Sequence, residues 1–169
     1  KAFFHSNNKT DEDITFAIDS GIGYFVCDNI EEVQAISEIA TEKGVTQNVL
    51  LRLTPGIDPH TYEAVNTGKV DSKFGSAIET NQAYEITKQA LALSGIKLCG
   101  FHCHVGSQIF DSEIYIRSSE IMLEFIRKVR DELDFTTEIL DLGGGYGVRY
   151  VEANPYIDID KNIGELASF

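Results

Sequence analysis

The sequence has 169 residues, enough for one domain with a hydrophobic core, and carries 27 acidic residues against 14 basic ones, a net charge of -13. This charge argues against binding to nucleic acid, which requires basic surfaces, and against an anionic membrane surface. No apolar run is long enough to span a membrane, and the three cysteines form no CxxC pair, so a cytoplasmic globular protein is predicted.

Short apolar runs alternate with helical patterns along the chain. The runs predict strands at 2–5, 24–27, 49–53, 96–103 and 139–142. The patterns between them predict helices at 11–21, 30–43, 81–94 and 112–133. Thr10 and Asn29 are suited to N-capping, and Gly44 to ending the second helix. A long polar connection covers 57–80, and the residues after Val151 show no clear pattern.

This βα alternation predicts a parallel sheet with helices packed against it. A doubly wound open sheet and a TIM barrel both have this pattern. Five strands cannot close an eight-stranded barrel, so the element pattern alone favours the open sheet. Polar clusters follow all five strands, at the end where both folds build their active sites.

Three adjacent glycines, Gly143, Gly144 and Gly145, follow the last predicted strand. Such a run lets main-chain amides approach a ligand closely, and phosphate is the usual ligand. A tight turn without a ligand is the alternative. The spacing does not match the dinucleotide-binding pattern G-x-G-x-x-G.

His102 and His104 are two residues apart on a predicted strand and would share one face of it. They suit a metal site, although two ligands are too few for a catalytic metal. They also suit core histidines hydrogen-bonded to the main chain, or an imidazole stacked on a flat cofactor. In the third case Ser107 could bind the phosphate of that cofactor. With the glycines, this set fits pyridoxal phosphate or flavin mononucleotide, and the residues alone do not separate them.

Four segments resemble motifs of the diaminopimelate decarboxylases, in the order of that family and over nearly the whole chain. They are HSNNKT at 5–10, TGKVDSKFG at 67–75, GFHCHVGSQ at 100–108 and LGGGYG at 142–147, with Ser6 in place of the usual Gly. The resemblance implies the alanine-racemase-like fold, an N-terminal TIM barrel followed by a β domain. This reverses the preference for an open sheet.

The resemblance also implies roles for particular residues. His104 would stack on the pyridine ring of pyridoxal 5'-phosphate, and Ser107 would bind the phosphate. Gly145, with Gly143 and Gly144, would cradle that phosphate, and Arg52 would support the ring from below. Lys73 is a candidate for a dimer interface, or otherwise a solvated loop lysine.

Other motifs of the family do not occur in the sequence. These are the Y/F-A-x-K-A-N motif with the cofactor-bound lysine, the E-P-G-R motif whose acid partners the pyridine nitrogen, and the C-terminal cysteine motif. Lys9 matches a different motif and is not a candidate for the cofactor-bound lysine. We therefore expect residues 1–169 to be about five βα units of the pyridoxal-phosphate-binding barrel, without the C-terminal β domain and inactive alone.

The expected complete protein is a carboxy-lyase of lysine biosynthesis, a homodimer that converts meso-diaminopimelate to L-lysine. An ornithine or arginine decarboxylase of the same fold is one alternative. A metal-dependent barrel hydrolase that uses His102 and His104 is another, and a non-catalytic cofactor-binding module is a third.

Overall fold

The computed structural model describes residues 1–57 and 74–168. The strands are β1 (Phe3–His5), β2 (Tyr24–Cys27), β3 (Gln47–Thr54), β4 (Ser76–Ala77), β5 (Ile96–His102) and β6 (Ile139–Asp141). The helices are α1 (Asp11–Asp19), α2 (Ile30–Glu42), α3 (Gln82–Leu91), α4 (Ser112–Leu133) and α5 (Ile159–Ser168). None of the helices in these two ranges has the length and apolar character required to cross a membrane. Most of the predicted long connection, including Lys73, lies outside the described residues.

The strand order is β1-β2-β3-β5-β6, all parallel, with the short β4 paired to the end of β3. Each strand of this path lies beside the one that precedes it. A doubly wound sheet instead reverses its strand order at a switch point. The uninterrupted order is that of a TIM barrel. The prediction of a partial barrel is therefore confirmed, and the alternative prediction of a doubly wound open sheet is wrong.

The predicted helix boundaries depend on local hydrogen bonds. Thr10 and Asp13 form a capping box at the start of α1. The Asn29 side chain accepts a hydrogen bond from the Glu32 amide at the start of α2. Both predicted N-caps are therefore confirmed, because each satisfies an amide that has no partner within its helix.

The structure differs from the prediction in the bounds of two strands and in two elements that were not predicted. Strand β3 runs from Gln47 to Thr54 and is longer than predicted. Strand β5, which corresponds to the prediction at 96–103, ends at His102 rather than Cys103. The short β4 lies in what was predicted as a loop. Helix α5 forms where no pattern was assigned, and none of its residues is buried.

The two faces of the sheet have different surroundings. On one face, alternate strand residues such as Phe25, Leu51 and Phe101 pack against the helices in the main core. On the other face, Val26 and Leu50 form a small apolar cluster with Cys99. Side chains alternate along a strand, so every second residue lies on this second face. At the carboxyl ends of β3, β5 and β6 the residues on this face are polar.

Candidate active site

The polar residues of the second face line a cavity of about 390 Å³ at the carboxyl ends of the strands. Its lining residues are His5, Arg52, His102, His104, Asp141, Gly143 and Gly144. Cavities of about 650 and 510 Å³ lie elsewhere, but neither is lined by a histidine. The fold thus brings together four predicted site residues that come from three different strand ends.

His104 lies just beyond the end of β5, exposed to the cavity. Its ring packs against the glycine turn: a Cβ added to Gly143 would lie 3.0 Å from Nδ1, and one added to Gly145 would lie 3.2 Å from Cε1. Burial, and then the positive charge of Arg52, lower the pKa of His104. The imidazole is therefore neutral at pH 7, a state suited to stacking on an aromatic ring.

His102 is 4% exposed at the end of β5, and its ring lies edge-on to that of His5, with 4.9 Å between centroids. Burial lowers its pKa to about 4, against the opposing charge of Asp141. Its buried Nδ1 has no hydrogen-bond partner among the described residues. The expectation that His102 and His104 face the same space is confirmed, since both line the cavity.

Metal binding is a weaker interpretation of this cavity. His5, His102 and Asp141 offer ligand atoms within 4.8 Å of one another, whereas two ligands of a tetrahedral zinc lie about 3.4 Å apart. His104 is not in this group, so the pair predicted from sequence is not the set that the fold assembles. Arg52, which together with burial lowers the pKa of all three histidines, also disfavours a cation here.

The glycine turn is built for close contact between two loops. The Gly143 amide donates to Oδ1 of Asp141 at 2.8 Å, and the Gly145 carbonyl accepts from the Ile109 amide at 2.9 Å. Gly145 has a φ of +94°, and a Cβ there would lie 1.9 Å from the Gly106 carbonyl oxygen, so no other residue fits. The amides of Gly144 and Gly145 have no hydrogen-bond partner within the described ranges.

Ser107 is exposed immediately after Gly106, whose carbonyl contacts the glycine turn. Its hydroxyl has no partner among the residues that the structure describes. Free amides at the turn and a free hydroxyl beside it are the donors that a phosphate requires. These residues fit the phosphate end of pyridoxal phosphate, while the neutral His104 fits its ring.

Arg52 lies at the carboxyl end of β3, with its side chain 19% exposed. Nη1 is 3.8 Å from Oδ1 of Asp28, and the guanidinium carbon is 4.7 Å from the centre of the Phe74 ring. Arg52 is the register partner of His102 in the sheet. It therefore supplies a fixed positive charge to the cavity.

Sequence reasoning did not assign Asp28, Asp141 or His5 to the site. Asp141 is two residues beyond Ile139, which packs on the second face, so strand alternation could have identified it. Asp28 directly follows the end of β2, in one of the polar clusters that follow the predicted strands. Its pairing with Arg52 carries no signal in the sequence, because the two are on different strands.

Comparison with known proteins supports the cofactor interpretation. The family described as "Pyridoxal-dependent decarboxylase, pyridoxal binding domain" matches residues 1–168. The diaminopimelate decarboxylase of Halalkalibacterium halodurans is 42% identical over 163 residues, which cover 96% of this chain and 37% of that protein. The diaminopimelate decarboxylase of Staphylococcus aureus is 39% identical, over 96% of this chain and 37% of that protein. The chain thus spans little more than a third of these relatives.

Solved structures agree with these relatives. The crystal structure of diaminopimelate decarboxylase from M. jannaschii has a TM-score of 0.87 and 32% identity, over 98% of this chain and 38% of that one. A second structure of the same enzyme is in complex with L-lysine and matches equally well. The predicted pyridoxal phosphate cofactor is confirmed over flavin mononucleotide, and the chain belongs to the pyridoxal-binding-domain family of the pyridoxal-dependent decarboxylases.

Proposed function

We propose that the chain is the cofactor-binding part of a diaminopimelate decarboxylase, a carboxy-lyase that converts meso-diaminopimelate to L-lysine and carbon dioxide. The observation that carries this proposal is one cavity lined by His104, Arg52 and the glycine turn, with Ser107 beside it, in a chain whose relatives have this name. The motif at 100–108 contributes His102 and His104 to the lining of this cavity.

When bound, pyridoxal phosphate supplies an aromatic ring that accepts the electron pair left behind when the substrate carboxyl group departs as carbon dioxide. The residues of this chain bind and orient that ring. Neutral His104 would stack on one face of that ring and add no positive charge of its own. The Gly144 and Gly145 amides and the Ser107 hydroxyl would donate to the phosphate and so hold the cofactor at that end.

Arg52 has a different role from the phosphate-binding residues. Its guanidinium group lines the cavity, and Arg52 is the register partner of His102 in the sheet. A fixed charge at this position would support the cofactor ring and would cost no reorganisation during the reaction. We therefore assign Arg52 to support of the ring rather than to proton transfer.

The covalent attachment of the cofactor and the acid that partners its pyridine nitrogen would come from parts of a longer protein. We propose that this protein is a cytoplasmic homodimer of which residues 1–169 form part of the N-terminal barrel. The share of about 37% of each relative that the chain covers supports this division. On this proposal, residues 1–169 alone bind cofactor weakly and release no carbon dioxide.

The test is carbon dioxide release by the complete protein with added pyridoxal phosphate. We compare meso-diaminopimelate, ornithine and arginine as substrates, with cofactor-free protein as the control. We expect release from meso-diaminopimelate alone. Release only from ornithine or arginine would assign the protein to a sister family with the same fold and cofactor, and release from none of them would refute the proposed activity.

A further inference from the structure

Arg52 is enclosed on three sides. Asp28 lies beside its guanidinium, and the ring of Phe74 lies against its face. Gly75 packs on its main chain so closely that a Cβ there would lie 2.9 Å from the Arg52 carbonyl oxygen. The Thr54 hydroxyl donates to the Phe74 carbonyl at 2.7 Å, which ties this segment to the end of β3. The orientation of Arg52 is therefore set by protein contacts.

Asp28 is itself fixed by a buried network. Its amide donates to Oε2 of Glu32 at 2.9 Å. The other oxygen of Glu32 pairs with the ammonium of Lys9, which also donates to the Val26 carbonyl at 2.8 Å. The Lys9 side chain has no exposed surface, and that of Glu32 is 6% exposed. This network holds the loop between β2 and α2, and hence the Asp28 carboxylate.

The Asp28 carboxylate does not stabilise the fold efficiently. Its Oδ2 is buried without a hydrogen-bond partner in the described ranges, and such an atom costs free energy. Burial raises the pKa of this carboxyl, although the charge of Arg52 opposes the rise. A buried carboxylate that has an unpartnered oxygen and lies beside an arginine of the site is a candidate for a functional role.

We propose that Asp28 is a positioning residue whose carboxylate, anchored by Glu32 and Lys9, holds the Arg52 guanidinium in the orientation that the cofactor requires. This inference rests on the proposed function, since it takes Arg52 to support the cofactor ring. Asp28 acts through Arg52 and does not itself contact the cofactor.

A double-mutant cycle on the complete protein tests the proposal. Asp28→Asn keeps the shape of the side chain and removes its charge, and Arg52→Met removes the guanidinium. The readouts are the Kd of pyridoxal phosphate and the circular dichroism of the bound cofactor, which reports ring orientation. Asp19→Asn, which breaks the exposed pair with Lys43, is the control.

We expect Asp28→Asn to raise the Kd by about 10-fold, the lower end of the loss that is typical when the outer partner of a metal-binding side chain is removed. The cofactor dichroism should change, and the Tm of cofactor-free protein should stay the same or rise. In the Arg52→Met background Asp28→Asn should have no further effect. Glu32→Gln should shift Kd in the same direction by less, which gives a second route if Asp28→Asn folds poorly.

An equal effect of Asp28→Asn with and without Arg52 would overturn the proposal, as would an unchanged Kd and dichroism in both Asp28→Asn and Glu32→Gln. Neither result would affect the proposed function, provided that the wild-type protein binds the cofactor and that Arg52→Met weakens this binding. Failure of the wild-type protein to bind pyridoxal phosphate would instead refute the proposed function and this inference with it.

Discussion

The imidazole of His104 packs directly on Gly145, so that a Cβ at position 145 would lie 3.2 Å from Cε1 of the ring. The residue proposed to stack on the cofactor and the turn proposed to bind its phosphate are thus in contact. A change on one side of this contact should be transmitted to the other, because packed groups in a well-packed region shift together.

Gly145→Ala should damage both the fold and the site. The added Cβ would lie 1.9 Å from the Gly106 carbonyl oxygen at a φ of +94°. We expect the free energy of unfolding to fall by about 3 kcal/mol and cofactor affinity to fall with it. Gly144→Ala is the matched control, since a Cβ there meets nothing within 4 Å. It should change the free energy of unfolding by less than about 0.5 kcal/mol in urea titrations.

His104→Ala should weaken cofactor binding and leave stability almost unchanged, because the side chain is exposed at a strand end. A stacked aromatic pair contributes about 1 kcal/mol beyond its buried area, so we expect the Kd of pyridoxal phosphate to rise about 5- to 10-fold. His104→Phe keeps a flat ring and should recover most of this loss. Equal Kd values for wild type and His104→Ala would remove His104 from the cofactor site.

Lys9→Met should be strongly destabilising. It leaves the Glu32 carboxylate buried without its counter-ion and deprives the Val26 carbonyl of a donor. Breaking one side of a buried pair typically costs about 3–5 kcal/mol. Lys43→Met breaks an exposed pair with Asp19 and should cost less than about 1 kcal/mol. Thermal unfolding of the two variants side by side measures the difference, and similar losses would show that burial of the Lys9 pair is unimportant.

The pH dependence of stability should carry a contribution from His102. Its pKa is about 4 in the folded protein and near 6.5 when unfolded, so the unfolded chain binds the proton first. The free energy of unfolding of cofactor-free protein should therefore be highest above pH 6.5 and should fall by roughly 3 kcal/mol as the pH drops to 4.

His102→Gln removes this titration and is the comparison that isolates it from the many carboxylates. Urea unfolding at several pH values between 4 and 7 should give a shallower slope for His102→Gln than for wild type. Parallel slopes would mean that His102 is solvated and titrates normally in the folded protein.

Features that depend on local sequence were the ones predicted well. Capping by Thr10 and Asn29 and the bounds of α4 follow from neighbouring residues, and the structure has them as predicted. The meeting of His104 with Gly143 was anticipated only because strand ends collect at one edge of a parallel sheet. Pairs such as Arg52 with Asp28 depend on which strands lie side by side. The residue pattern of a single segment does not indicate its neighbouring strand, so such pairs could not be predicted.

The strand order also bears on how the protein is made. Each strand of the path β1-β2-β3-β5-β6 pairs with the preceding strand of that path, so this part of the sheet can be extended strand by strand while the ribosome is still lengthening the chain. The cavity is assembled in the same sequence, from His5 through Arg52 and His104 to Gly145. Cofactor capture by a nascent chain would therefore have to wait until the glycine turn has left the exit tunnel.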